Sequence, residues 1–436
     1  MSPPFCLSRT LLGSKPQASP ALALSAQIKL GFLRVLCDAI FPLRCMAAMT
    51  TTLIHAKRAL TPTGEIADAG ILMRDGVIEL IGPREGMNLP NDAAEISATD
   101  KSAIPGFVDV HIHGAGGRDV MEGTPEALSV VAKTLALHGT TSFVATTVTA
   151  SADDICRSSE GIAKYIATQH EPHEPRAEVL GIHFEGPFLS EIRRGVHPAE
   201  WLRLPSAELL SRFLAAAGGN ARILTLAPEL LGAMPCIDAA IKAGVVVGIG
   251  HTDATYEQAR AAIAHGAHHA VHVYNAMRPF SHRDSGVIGA ILTTPNVTAE
   301  LIADGVHVEE AAMRLLLQAK SSDCVILVSD GISATGMPDG KYVLGQIEVT
   351  VTGGVCRNSE GKLAGSTLTL DKALRNVMAL GKSFADTTRM LTLNPAGLLG
   401  VEFKKGALRV GADADVVLMD HAMQISGVWV RGMAVN

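Results

Sequence analysis

Aromatic residues make up only 4% of this 436-residue chain and charged residues only 18%, against an apolar content of 47%. That balance permits a large buried core and suits an α/β protein with buried parallel strands. An excess of positive charge is missing: the formal charge is −6. The chain therefore has no general affinity for nucleic acid or an anionic membrane, and an anionic substrate must be held by local donors. No Cys-x-x-Cys pair occurs among Cys6, Cys37, Cys45, Cys156, Cys236, Cys324 and Cys356. Their scatter and odd number exclude a disulfide framework and a thiolate zinc site, and point to the reducing cytoplasm. The apolar run 28–45 is interrupted by Lys29, Arg34 and Asp38, so it makes no membrane span. No Gly-x-Gly-x-x-Gly turn follows a strand, which weighs against an open doubly wound sheet.

What is present divides the chain. Residues 1–48 carry five basic groups against one acid, Asp38. They read either as a targeting peptide or as translated upstream sequence, with a working start at Met46 or Met49, and are expected to be disordered. Residues 49–104 hold short alternating strands, with Asp75-Gly76 as a hairpin turn. Residues 401–436 have the same texture. The two ends are expected to combine into one small β-sandwich domain.

Between them, residues 105–400 alternate strand and helix. Eight strand-like runs stand at 107–110, 142–147, 179–184, 223–227, 245–249, 270–273, 297–302 and 325–328. One intervening helix has Thr124 as its cap, Pro125 in its first turn and Gly139 at its end. Eight such units in this length predict a (β/α)8 barrel, whose active site gathers at the C-terminal strand ends.

Chemistry-bearing residues fall at those ends. Glu185 closes the third run, and Gly186-Pro187 turns the chain out of the sheet. A buried carboxylate there needs a cation, hydrogen-bond donors, a helix end or an arginine. His111 and His113 follow the first strand, and alternation puts both imidazoles on one side. Next to them, Gly114-Ala-Gly-Gly117 lets the backbone fold tightly. His251 ends the fifth strand, His272 lies on the sixth and Asp330 ends the eighth. Histidine and carboxylate without sulfur suit zinc, iron, manganese or cobalt more than calcium. Asp330 could be a ligand, a general base or a helix cap. His138, His170, His173, His265, His268 and His269 read as surface or packing residues in helices and loops. Arg278, His282 and Arg283 put positive charge after strand six, as a phosphate site or a solvated loop.

Pro105-Gly-Phe-Val-Asp-Val-His-Ile-His-Gly114 resembles a motif of the amidohydrolase superfamily. With His183-Phe-Glu-Gly-Pro187, Thr225-Leu-Ala-Pro-Glu229, Gly250-His-Thr-Asp-Ala-Thr-Tyr256, His272-Val-Tyr-Asn-Ala-Met277 and Asp330-Gly-Ile-Ser-Ala-Thr-Gly336, the chain from about Thr52 onward is similar to the N-acetylglucosamine-6-phosphate deacetylases. The resemblance implies hydrolysis of a phosphorylated N-acetyl amino sugar by an enzyme holding one or two divalent metals, with zinc the leading choice. It implies Glu185, His251 and His272 as the main ligands, and His111 and His113 as the pair serving a second metal. Asp330 matches the acid/base. His197 matches a histidine beside the acetyl group, and His307 one that contacts the sugar. Asn275 and Ala276 match a phosphate cradle. Arg283 matches an arginine reaching the neighbouring subunit's substrate, which implies a homodimer.

Departures occur at Thr252-Asp253, at Arg194 and Val196, and at Ser329 and Gly331, where the family more often has other residues. They leave the metal and acid positions intact and leave open glucosamine against galactosamine. A cyclic amidase of the dihydroorotase kind would place a modified lysine on strand four, and residues 223–227 have none. A non-catalytic scaffold barrel would be expected to have lost its ligands.

Overall fold

The computed structural model describes residues 51–88, 90, 93–170 and 174–436. Residues 1–50, which include the N-terminal extension, and His173 lie outside them. The described residues, from Thr51 onward, cluster as one compact unit.

Eight parallel strands follow one another in chain order around a single sheet. Barrel strands one to eight are Phe107–Ile112, Thr140–Thr147, Glu178–Glu185, Ala221–Leu226, Val246–Ile249, His269–Ala270, Thr298–Ile302 and Val325–Val328. Strands one, two and eight are buried along their whole length, as expected of parallel strands covered by helices. Strands one and eight do not pair along their length. Closure runs through Asp109, whose Oδ1 accepts from the Ser329 N–H (3.4 Å), and through the segment beyond strand eight. There the Asp330 N–H donates to His111 O (2.9 Å) and the His113 N–H to Gly331 O (2.7 Å). The seam of the barrel is thus made next to residues that the sequence marks as candidates for its chemistry, His111, His113 and Asp330.

Strand six differs from expectation. It spans two residues, and His272 lies beyond it in a turn with φ 30°. The left-handed backbone at His272 ends the ladder there. The helix after strand one is Pro125–Leu137, and the Thr124 hydroxyl accepts from the Ala127 N–H (3.2 Å) as its cap.

Both chain ends do join in one sheet. Its order is Met433–Ala434, Ile425–Val430, Val416–Met419, Ala94–Pro105, Thr51–Thr61, Gly64–Arg74, Val77–Pro83. Asp75 and Gly76, both at positive φ, form the two-residue turn between the last two. The edge strand also bonds across to the segment before Val416, with the Ile78 N–H on Ala412 O and the Ala414 N–H on Gly76 O, both 2.9 Å. The sheet therefore folds over on itself around its own core, which includes Ile54, Ile71, Met73, Val416 and Trp429.

A small antiparallel sheet, Gly340–Leu344, Ile347–Thr352 and Val355–Asn358, follows strand eight. It was not foreseen from sequence and forms one wall of the barrel mouth. No helix among the described residues is long and apolar enough to cross a membrane.

Candidate active site

At the C-terminal mouth of the barrel, a cavity of about 180 Å³ is lined by His113, Glu185, His197, His251, His272, Asn275, Ala276, His307 and Asp330, with Leu344, Leu363 and Gly365 from the added sheet and the loop after it. Five of the nine non-glycine residues at positive φ among the described residues cluster here: His251, His272, Tyr274, Ala276 and Asp330. Such backbone is costly and persists where surrounding structure holds it, as at functional sites. At Gly186 (φ 95°) a Cβ would stand 2.1 Å from Thr149 Oγ1, so the turn that carries the chain away from Glu185 requires glycine.

Glu185 is the hub. Its Oε1 lies 3.1 Å from His251 Nε2, 3.0 Å from His272 Nε2 and 3.4 Å from His111 Nε2. Its Oε2 lies 3.2 Å from His113 Nε2 and 3.5 Å from His197 Nε2. Asp330 Oδ1 completes the group, 3.3 Å from His113 Nε2 and 3.6 Å from His111 Nε2. These side chains fall into three overlapping triads, His111–His113–Asp330, His111–Glu185–His272 and Glu185–His197–His251, each with donor atoms within 4.8 Å.

Proton placement is set from behind. His113 Nδ1 donates to Thr146 O (2.9 Å), His251 Nδ1 to Arg193 O (3.0 Å) and His111 Nδ1 to Glu300 Oε2 (2.9 Å). With Nδ1 committed as a donor, the Nε2 atoms of these rings face one another and two carboxylates, and present converging lone pairs wherever they carry no proton. His111 Nε2 is buried with no hydrogen-bond partner, and His251 Nε2 and His272 Nε2 stand only 3.1 Å apart. Converging lone pairs of this kind call for a cation, and imidazole with carboxylate is the donor set of a divalent transition metal. His197 is the opposite case. Its Nδ1 accepts from the Thr149 N–H (3.3 Å), so its Nε2 carries the proton into the site.

The electrostatics agree. Burial alone would pull the His113 imidazole down, but Asp330 and Glu185 hold it up to about 9. Burial pushes Glu185 up, and the charge on His111 with the nearby His113 and His197 rings brings it well below the usual carboxylate range. Burial likewise raises Asp330, and His113 and His111 reverse it. At His251 burial dominates and lowers the ring to about 4. The carboxylates thus draw positive charge onto His113, a demand that a divalent cation would meet with release of protons.

The amidohydrolase family model matches residues 102–435. The chain belongs to the amidohydrolase family. It is 37% identical over 363 residues to the N-acetylglucosamine-6-phosphate deacetylase of Lysinibacillus sphaericus, covering 82% of this chain and 91% of that one. It is 38% identical over 386 residues to the N-acetylgalactosamine-6-phosphate deacetylase of Escherichia coli O157:H7, covering 88% and 98%. Among solved structures, a mutant N-acetyl-D-glucosamine-6-phosphate deacetylase of Mycobacterium smegmatis in complex with N-acetyl-D-glucosamine-6-phosphate superposes with a TM-score of 0.81. It is 34% identical, over 88% of this chain and 99% of that one.

In this amidohydrolase the expected residues converge, apart from Arg283. His307 lines the cavity, and its Nδ1 donates to Asp304 Oδ2 (2.7 Å). Asn275 Nδ2 donates to His272 O (3.2 Å). Arg283 is exposed and does not line the chain's own cavity. His269, expected as a surface or packing residue of a helix or loop, is buried and lies on strand six instead, where its Nε2 donates to Glu300 Oε1 (2.8 Å). Sequence reading also passed over Thr149, Asp109 and Glu300. Glu300 carried a visible signal: it is a carboxylate in the middle of the apolar run 297–302.

Proposed function

We propose that this chain hydrolyses the acetamide of N-acetyl-D-glucosamine 6-phosphate, giving D-glucosamine 6-phosphate and acetate, a step of amino-sugar breakdown. The observation that carries the reading is a proton acceptor and a proton donor, Asp330 and His197, on one cluster of ligand atoms inside an amidohydrolase barrel. The near full-length relatives named for this deacetylation support the substrate.

Glu185, His251 and His272 would hold one divalent cation, and His111 with His113 a second; zinc suits these donors best, and iron, manganese or cobalt share them. Such a cation polarises a carbonyl and makes water a better nucleophile at neutral pH. Asp330, ionised at neutral pH, accepts the proton of the attacking water and returns it to the amine nitrogen as the C–N bond breaks. His197 donates its Nε2–H to the carbonyl oxygen as negative charge builds there. His307, fixed by Asp304, meets a sugar hydroxyl. The Asn275 amide and the Ala276 N–H cradle the phosphate. Arg283 reaches outward to the phosphate in a second copy, which makes the working unit a homodimer; its exposure supports this. The described cysteines, Cys156, Cys236, Cys324 and Cys356, are free thiols, which suits the cytoplasm.

Replacing Asp330 with Asn tests the chemistry. Turnover should fall by about 10²–10⁴-fold, the usual worth of a general acid/base, while metal content stays at the wild-type value. An unchanged rate would remove Asp330 from the mechanism. The E. coli relative's name makes the galactosamine epimer the second reading, and both sugars belong in the same assay.

A further inference from the structure

Glu300 is fully buried in the middle of strand seven, and no lysine or arginine among the described residues pairs with it. Three N–H groups meet its carboxylate instead. Oε2 accepts from His111 Nδ1 (2.9 Å) and from the backbone N–H of His272 (3.0 Å), and Oε1 accepts from His269 Nε2 (2.8 Å). A buried carboxylate is expensive to keep, so this geometry asks for a reason.

Three of the proposed metal ligands have a fixed Nδ1–H, and these three differ in what they donate to. His113 and His251 have neutral backbone carbonyls, Thr146 O and Arg193 O. His111 alone has a carboxylate. A charged acceptor fixes the tautomer more firmly and makes the opposite nitrogen a stronger donor. That nitrogen, His111 Nε2, is the buried atom with no hydrogen-bond partner of its own. The same Oε2 also holds the backbone of His272 at its left-handed turn. His269 braces Glu300 from the other side.

We propose that Glu300 is the positioning residue that turns the His111–His113 pair into a metal subsite. It holds His111 with Nε2 bare and aimed at Glu185 and Asp330. The inference rests on reading the cluster as a metal centre, and it adds a residue to that reading that does not touch the metal or the substrate.

The test is metal titration of the full chain, stripped with a chelator and then titrated with Zn²⁺ or Co²⁺, with wild type, Glu300→Gln and His111→Gln side by side. The wild type should take two equivalents. Glu300→Gln should weaken one equivalent by about 10–100-fold, the usual effect of losing such a partner, and leave the other unchanged. His111→Gln should weaken that same equivalent. Melting of the metal-free proteins should show wild-type and Glu300→Gln chains equally folded, which separates positioning from a purely structural role. If Glu300→Gln yields no soluble chain, Glu300→Asp carries the test: it keeps the charge but withdraws the oxygens from His111, and the same equivalent should weaken. Two equivalents bound by the Gln variant with wild-type affinity would overturn the proposal and leave the metal centre standing. So would a wild type with one equivalent that the substitution does not affect. A wild type that binds no cation would overturn the proposal and the metal centre together.

Discussion

His197 and His251 have rings 4.6 Å apart, yet they carry their protons on opposite nitrogens. The Thr149 N–H stands behind one and the Arg193 carbonyl behind the other. That difference suits His251 to the proposed role of ligand and His197 to that of donor. Replacing His197 with Phe should lower kcat by about 10²–10³-fold, the range for loss of one oxyanion donor, with bound metal unchanged. A matching loss of metal would make His197 a ligand instead. Identity at this scale was legible in the sequence: a histidine or carboxylate at a strand end is visible as a letter. Protonation was not, because backbone groups decide it, and a sequence does not show which N–H or carbonyl stands behind a ring. His269 shows the same limit. Read together with the exposed His268 as a surface or packing residue of a helix or loop, it is turned inward onto Glu300 by the register of strand six.

Elements were legible where periodicity and turn chemistry agree. The helix after Thr124 and the Asp75-Gly76 hairpin follow from caps and turns written in the sequence. Strand six was read too long because Ala270-Val-His-Val273 is apolar enough for a strand, while the positive φ at His272 ends it. The three-stranded insertion escaped because its strands are short, half-exposed and close to the catalytic stretch.

How the sheet domain is fastened to the barrel was also illegible, since it depends on one buried lysine. Lys405 Nζ lies 2.6 Å from Glu178 Oε2 at the start of strand three, 2.9 Å from Asp413 Oδ2 and 3.0 Å from Asp415 Oδ2. Asp415 O in turn accepts from the Gly106 N–H (3.0 Å), just before strand one. Burial would pull the Lys405 ammonium down, but the three carboxylates hold it above the ordinary lysine value. A raised lysine stabilises the fold at every pH below its unfolded value and loses that contribution only as pH rises through the folded one. The hub is therefore fully formed at neutral pH. Lys405→Met should cost about 3–5 kcal/mol, because it leaves buried carboxylates without their cation. Urea unfolding of the metal-free chain would read this as a lower midpoint, and a change within about 0.5 kcal/mol, the size of an ordinary surface substitution, would mean the hub contributes little.

For the whole molecule, sheet order, barrel seam and site are one arrangement. Eight strands in chain order deliver Glu185, His251, His272 and Asp330 to one rim, and the seam from strand eight back to strand one brings Asp330 to His111 and His113. The barrel was legible because eight apolar runs and their spacing leave few other topologies. The choice of sugar was not, since Asp253 and Arg194, where the chain departs from the common pattern, bond to protein groups in this structure. Asp253 pairs with Arg193 (2.7 Å) and Arg278 (3.3 Å), and Arg194 donates to His197 O (2.6 Å).

Acetate release is the most direct measurement of the central claim. N-acetylglucosamine 6-phosphate, its galactosamine epimer and unphosphorylated N-acetylglucosamine would be assayed on one preparation whose metal content is determined. Fast turnover of the first, with the epimer slower and the unphosphorylated sugar nearly inert, is the expected result. Metal-loaded protein that releases no acetate from any of the three would contradict the assigned reaction.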